Sequence, residues 1–214
     1  MHQPGPQGPG ESEAATRAAR LVAGGPLSGS PAFYREALAR LTADERYEKN
    51  VQWGEPRDGH PEGPICAHIA DLERNAAVLD AKLSETDRVR LRLLVHSHDT
   101  FKPDADDVKI SHPRSHASLA RVFLEEYCPD DASLLDLVQY HDEPYALWRQ
   151  VQHARLNWER YDALFARVRE WDLFLAFLIV DGCTEGKSRD PLRWFFGEAE
   201  RHGVRSVVTA ADIL

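Results

Sequence analysis

From Ser30 onward the apolar residues recur at three- and four-residue intervals, and no stretch sustains the alternation of β-branched residues that a half-buried strand requires. That pattern restricts the chain to helices. Ser30 and Pro31 open the first one, a capping side chain followed by a proline at the first helical position. Phe33, Ala37, Leu38 and Leu41 then give it a single buried stripe. A turn-rich segment, GEPRDGHPEGP over 54–64, interrupts the pattern. Further helices are expected over 65–83, 85–101, 113–127, 131–141, 145–154, 157–180 and 191–201, bounded by Lys102-Pro103, Cys128-Pro129, Glu143-Pro144, Gly182 and Gly203. No internal repeat is present. The expected fold is all-α, a bundle of six to eight helices formed by residues 31–214 as one domain. Residues 1–30 read as a disordered or loosely attached segment, with one Ala/Arg-rich helical stretch over 11–23 that stops at Gly24-Gly25-Pro26.

Composition narrows the function classes. At 43% hydrophobic and 29% charged residues, with a mean hydropathy of -0.49, the chain reads as a soluble globular protein. Its longest apolar run, Leu173 to Val180, has eight residues where a bilayer span needs about 20. A formal charge of -9 and a pI near 5.6 argue against a surface built to grip duplex nucleic acid through its phosphates. A small anionic substrate stays open, because a bound cation inverts the local field. Cys66, Cys128 and Cys183 are odd in number and lack paired spacing, which favours a reducing, cytoplasmic setting. The opening MHQPGPQGPG has neither the basic nor the apolar region of a secretory signal.

Ten histidines are many for a chain of this size, and where they fall matters more than their number. His98-Asp99 precedes Lys102-Pro103 and His141-Asp142 precedes Glu143-Pro144, so both pairs fall in the last turn of a helix. Asp181 ends the strongly apolar helix and is followed by Gly182. An acid at that inner position needs a cation or several donors. His68 lies just inside the helix after Pro64, and His112 and His116 flank the start of another. Imidazole and carboxylate together suit one or two divalent ions of Mn, Fe, Co, Ni or Zn. Two ions about 3.5–4 Å apart would activate a water and neutralise a phosphate, with a carboxylate bridging them.

In five ordered pieces the chain resembles the HD-domain metal-dependent phosphohydrolase superfamily: HPEGPICAHIADL (60–72), LLVHSHDTFKP (93–103), HPRSHASLARVFL (112–124), LLDLVQYHDEPY (134–145) and FLIVDGCTEG (177–186). The first four are similar to the HD domain of bacterial tRNA nucleotidyltransferases and to HD-GYP phosphodiesterases. The resemblance assigns His68, His98, Asp99 and Asp181 to a first metal, with Asp99 as the bridge, and His112 and His141 to a second. His116 stands where the family has glycine, and either replaces His112 as a ligand or faces substrate; on a continuous helix the two share a face. Thr100-Phe101 replaces the family's Ile-Gly, which alters the pocket beside Lys102.

The resulting expectation is a phosphomonoesterase or phosphodiesterase acting on a nucleotide or a related small phosphate ester. Asp99 and Lys102 carry catalysis, and Lys102 with Arg114 or Lys187 holds phosphate oxygens. Two alternatives share the ligand set: a diiron oxygenase of a small phosphonate or polyol, and a nucleotide-binding module without turnover. A homodimer is compatible with either. His96 and His60 read as structural and turn residues, and Trp148, Trp158, Trp171 and Trp194 as core.

Overall fold

Capping side chains written into the sequence decide where the helices begin. Ser30, Asp44, Ser84, Ser115, Asp131 and Asn157 each accept a hydrogen bond from a backbone N–H in the first turn that follows, a contact contributing about 1 kcal/mol apiece. The structure is a computed structural model and describes residues 29–214. The helical stretch expected over 11–23 lies outside the described residues.

The helices are α1 (Pro31–Thr42), α2 (Glu45–Asn50), α3 (Ile65–Leu79), α4 (Glu85–Ser97), α5 (His116–Glu125), α6 (Ala132–Tyr140), α7 (Glu143–Gln152), α8 (Trp158–Arg167), α9 (Trp171–Gly182) and α10 (Asp190–Arg201). Short 3₁₀ turns cover Asp80–Lys82, Lys102–Asp104 and Ala210–Asp212. Among the described residues no strand forms; the one extended pairing is an isolated bridge between Arg57 and His60. The all-α expectation holds, and no helix among the described residues is long and apolar enough to cross a membrane.

Two helices form the centre. Every residue of α9 from Leu173 to Val180 is buried, and each large side chain there contributes about 1.5–3 kcal/mol by leaving water. α4 packs against α1, α3, α5, α6 and α9, and α9 packs against α3, α4 and α10. The sequence expects one helix over 157–180, yet the chain leaves helical geometry at Val168 and Glu170. The reason is a change of environment. α8 has one buried face, with Tyr161 and Leu164 inside and Trp158 65% exposed, whereas α9 is apolar on every side and has to turn into the core. At that break Glu170 pairs with Arg90, a buried arginine that Asp131 also holds through Nε at 2.9 Å and Nη2 at 3.0 Å.

Two further boundaries matter for the site. α5 starts at His116 rather than near Pro113, because Ser115 is its N-cap and fastens the preceding loop by donating to the Ile110 carbonyl at 2.6 Å. Pro144 lies in the first turn of α7 instead of separating two elements.

Candidate metal centre

The family-like residues come from five elements whose ends meet. His98 caps the C-terminus of α4 and Asp99 follows it; His141 caps α6; Asp181 is in the last turn of α9; His68 is in the first turn of α3; His116 is the first residue of α5. Their ligand atoms form two groups, His68, His98 and Asp181, and Asp99, His116 and His141, each with all atoms within 4.8 Å of one another. Asp181 Oδ1 is 2.9 Å from His68 Nε2 and 3.9 Å from His98 Nε2. Asp99 stands between the groups: Oδ2 is 3.4 Å from His98 Nε2, and Oδ1 is 3.9 Å from His141 Nε2 and 4.0 Å from His116 Nε2.

The donor set fits a cation on its own chemistry. His98 Nδ1 donates to the carbonyls of Leu94 and Val95, which places the lone pair on Nε2. That Nε2 is buried without a hydrogen-bond partner, an arrangement a buried polar atom avoids unless something else satisfies it. His141 repeats the pattern, with Nδ1 donating to the Val138 carbonyl at 2.8 Å. Imidazole nitrogens freed in this way, set among ionised carboxylates, match Mn, Fe, Co, Ni or Zn better than the all-oxygen preference of Mg or Ca.

The electrostatics favour positive charge at this point. Burial opposes ionisation of Asp99 and Asp181, but His98 and Lys102 beside the first, and Lys187 and His68 beside the second, hold both carboxyls well below the usual range. Burial likewise works against a charge on His98, and Asp99 with Asp181 outweighs it, so this ring sits above its ordinary value. Burial dominates at His141 and, with the rings of His116 and His98 nearby, pushes it down to about 4.

A cavity of about 540 Å³ opens onto this cluster. His98, Asp99, His141 and Asp181 line one part, together with Lys102 and Lys187. Lys102 Nζ donates to Asp99 Oδ2 at 2.6 Å and Lys187 Nζ to Asp181 Oδ1 at 2.8 Å. The lining also has an apolar part, with Leu178, Leu192 and Phe195, and Tyr145 stacks on Trp148 at 5.9 Å between ring centroids.

Several expectations are corrected. His112 does not join the cluster: it is exposed in the loop before α5, and its Nδ1 accepts from the Arg114 backbone N–H at 3.1 Å. Because α5 begins only at His116, the shared helical face expected for His112 and His116 does not exist, and His116 reaches Asp99 and His141 alone. Arg114 lies outside the cavity lining, exposed and paired with Asp106. Trp148 lines the cavity and Trp158 is exposed, so neither is core. Phe101 packs edge-on against Phe123 at 5.0 Å, which turns its bulk towards the core and leaves Lys102 at the cavity.

Three residues were missed. Asp142 lines the cavity with Oδ2 3.1 Å from His116 Nε2. His60 lines it too, and Glu62 reaches both His60 and His68. Asp142 adjoins His141 and was legible from the sequence as the second half of an HD pair, whereas nothing in the spacing of the 54–64 turn announces where Glu62 points. The chain matches no family model, no curated protein and no solved structure.

Proposed function

We propose that this chain is a metal-dependent phosphohydrolase of the HD type, a phosphomonoesterase or phosphodiesterase whose substrate is a small phosphate ester such as a nucleotide. One observation carries the reading: Asp99 directs its two oxygens to two different imidazole groups in a cavity that also holds two lysines. His68, His98 and Asp181 would hold one divalent ion and His116 and His141 a second, with Asp99 facing both. Such ions supply Lewis acidity and lower the pKa of water. Lys102 and Lys187 bind phosphate oxygens as charge-assisted donors. Asp142 Oδ2 lies 3.1 Å from His116 Nε2 and would be a further carboxylate beside the second ion. The apolar wall with Tyr145 and Trp148 takes the organic part of the ester.

The five motif pieces in order support the family assignment, and the three cysteines, free of disulfides, support a cytoplasmic setting. The decisive experiment assays purified protein, stripped of metal and then reloaded with Mn, Co, Fe or Zn, against nucleoside monophosphates, cyclic dinucleotides and simple sugar phosphates. Phosphate release that depends on reloading is the expected result. Substrate-dependent oxygen uptake by the iron-loaded protein would replace hydrolysis with oxidation, and inertness across the panel with tight nucleotide binding would leave a sensing module.

A further inference from the structure

Three imidazoles of the cluster have their Nδ1 atoms directed away from the proposed ions, and the contrast between them identifies a further residue. Side chains on a helix lean back towards its N-terminus. His98 and His141 sit at C-termini, so their rings lie over a last turn whose carbonyls are free to accept, and Leu94, Val95 and Val138 do so. His68 has no such turn behind it. It is the fourth residue of α3, and the carbonyl four residues back, on Pro64, already accepts from Ala67 at 3.0 Å and from His68 itself at 3.1 Å.

The group nearest to that position is a carboxylate from the preceding loop, close to a His68 Nδ1 that is buried without a hydrogen-bond partner. Glu62 Oε1 is 2.7 Å from His68 Nδ1 and 2.9 Å from His60 Nδ1. Both Glu62 and His68 are buried at the side chain, 8% and 3% exposed. The loop is shaped to bring it there: Gly63 has φ +81°, and a Cβ on it would come within 2.9 Å of the Pro56 ring. The arrangement carries a cost in stability, since Glu62 Oε2 is buried without a partner. His60 Nδ1 is hydrogen-bonded to that oxygen, whereas the buried His68 Nδ1, 2.7 Å away, makes no aligned hydrogen bond, and His68 Nε2 instead meets Asp181 Oδ1 at 2.9 Å.

Building on the metal reading above, we infer that Glu62 is a positioning residue: when an ion takes the lone pair of His68 Nε2 and replaces that atom's contact with Asp181, the ring proton has to lie on Nδ1, and Glu62, 2.7 Å away, is the acceptor that holds it there. His60 steadies the carboxylate through the same oxygen. Outer partners of this kind typically change metal affinity by about 10–100-fold when removed.

The test uses the full-length protein, metal-stripped and titrated calorimetrically with Zn and with Mn, comparing wild type with Glu62→Ala and Glu62→Gln. Glu62→Ala should weaken uptake of the first ion by about 10–100-fold. Glu62→Gln keeps an acceptor oxygen and should recover part of that loss. In the zinc-loaded protein, nitrogen-resolved NMR should show a His68 Nδ1 proton shifted downfield in wild type and absent, or exchanging with water, in Glu62→Ala. A Glu62→Ala or Glu62→Gln protein that binds both metals as wild type does, with that proton unchanged, overturns the positioning role while leaving the metal reading intact. A wild type that binds neither metal overturns both. Should Glu62→Ala not fold, Glu62→Gln decides alone: an intermediate loss supports the inference and unchanged affinity overturns it.

Discussion

His116 Nε2 and His141 Nε2 lie 3.3 Å apart. Because His141 spends its Nδ1 proton on the Val138 carbonyl, its Nε2 presents a lone pair to His116, and Asp142 Oδ2 lies 3.1 Å from the same His116 atom. Either a proton on His116 or a cation between the rings reconciles that geometry. If a cation does so, His116→Ala should weaken binding of the second ion by at least about 100-fold, more than a residue outside the ligand set would. His112→Ala should leave both affinities within about twofold, since His112 is exposed and outside the cluster. Calorimetric titration of the two variants with Mn measures this, and a reversal of their order would return the ligand role to His112.

Asp99 is 4% exposed and faces both groups. Asp99→Asn keeps its shape and removes its charge. Metal content per chain should fall towards one ion or none, and turnover of a phosphate ester by about 10³-fold, within the range that positioned acid–base and metal groups supply. Elemental analysis beside steady-state kinetics checks both outcomes. Retention of two ions and of kcat would remove Asp99 from the centre.

The share of this architecture legible in the sequence follows from how local each signal is. Ser30-Pro31, the HD pairs before prolines and the run from Leu173 to Val180 are local, and they placed His98, His141 and Asp181 at helix ends. The choice between His112 and His116 turned on one residue, Ser115, which caps α5 by accepting from the Ser118 N–H and ties down the loop through Ile110, and which a four-residue spacing does not reveal. Glu62 and the Tyr145–Trp148 pair needed the tertiary arrangement of a glycine-bent loop and α7 around one cavity. The break between α8 and α9 follows the change from a one-sided to an all-apolar helix, and the pair found there, Glu170 with Arg90, joins residues 80 apart in the chain.

The two lysines and Arg114 separate experimentally. Lys102 and Lys187 line the cavity while Arg114 is tied to Asp106 at the surface. Lys102→Met and Lys187→Met should each raise KM for a phosphate ester by about 10–100-fold, the equivalent of one hydrogen bond to a charged group. Arg114→Ala should leave KM unchanged. A strong effect at Arg114 with none at the lysines would move the phosphate site to the loop before α5.

The stacked Tyr145 and Trp148 give the apolar wall its only paired aromatic face among the cavity-lining residues. Stacking of a base on an aromatic ring contributes about 1–3 kcal/mol. Trp148→Ala should therefore raise KM for a nucleotide by about 5–100-fold while leaving a sugar phosphate unaffected. Equal changes for both substrates would assign Trp148 to support of α7 instead.

Alkaline stability tests a part of the molecule far removed from the centre in function. Tyr34 donates to Asp131 at 2.5 Å, beside the Asp131–Arg90 pair. Burial, then the hydrogen bond to Asp131, holds its phenol above the ordinary value of about 10. Folding thus favours the neutral phenol. Its contribution is fully present below pH 10 and is lost as pH rises through the elevated folded value. Tyr47 and Tyr127, pushed up to about 12 chiefly by burial, act in the same direction. Tyr34→Phe should cost about 1.5 kcal/mol at pH 8, and above pH 10 the gap between variant and wild type should narrow. Urea midpoints measured from pH 8 to pH 11.5, with tyrosine ionisation followed by absorbance, read the effect. A gap that stays constant across this range would mean that Tyr34 ionises alike in the folded and unfolded chains.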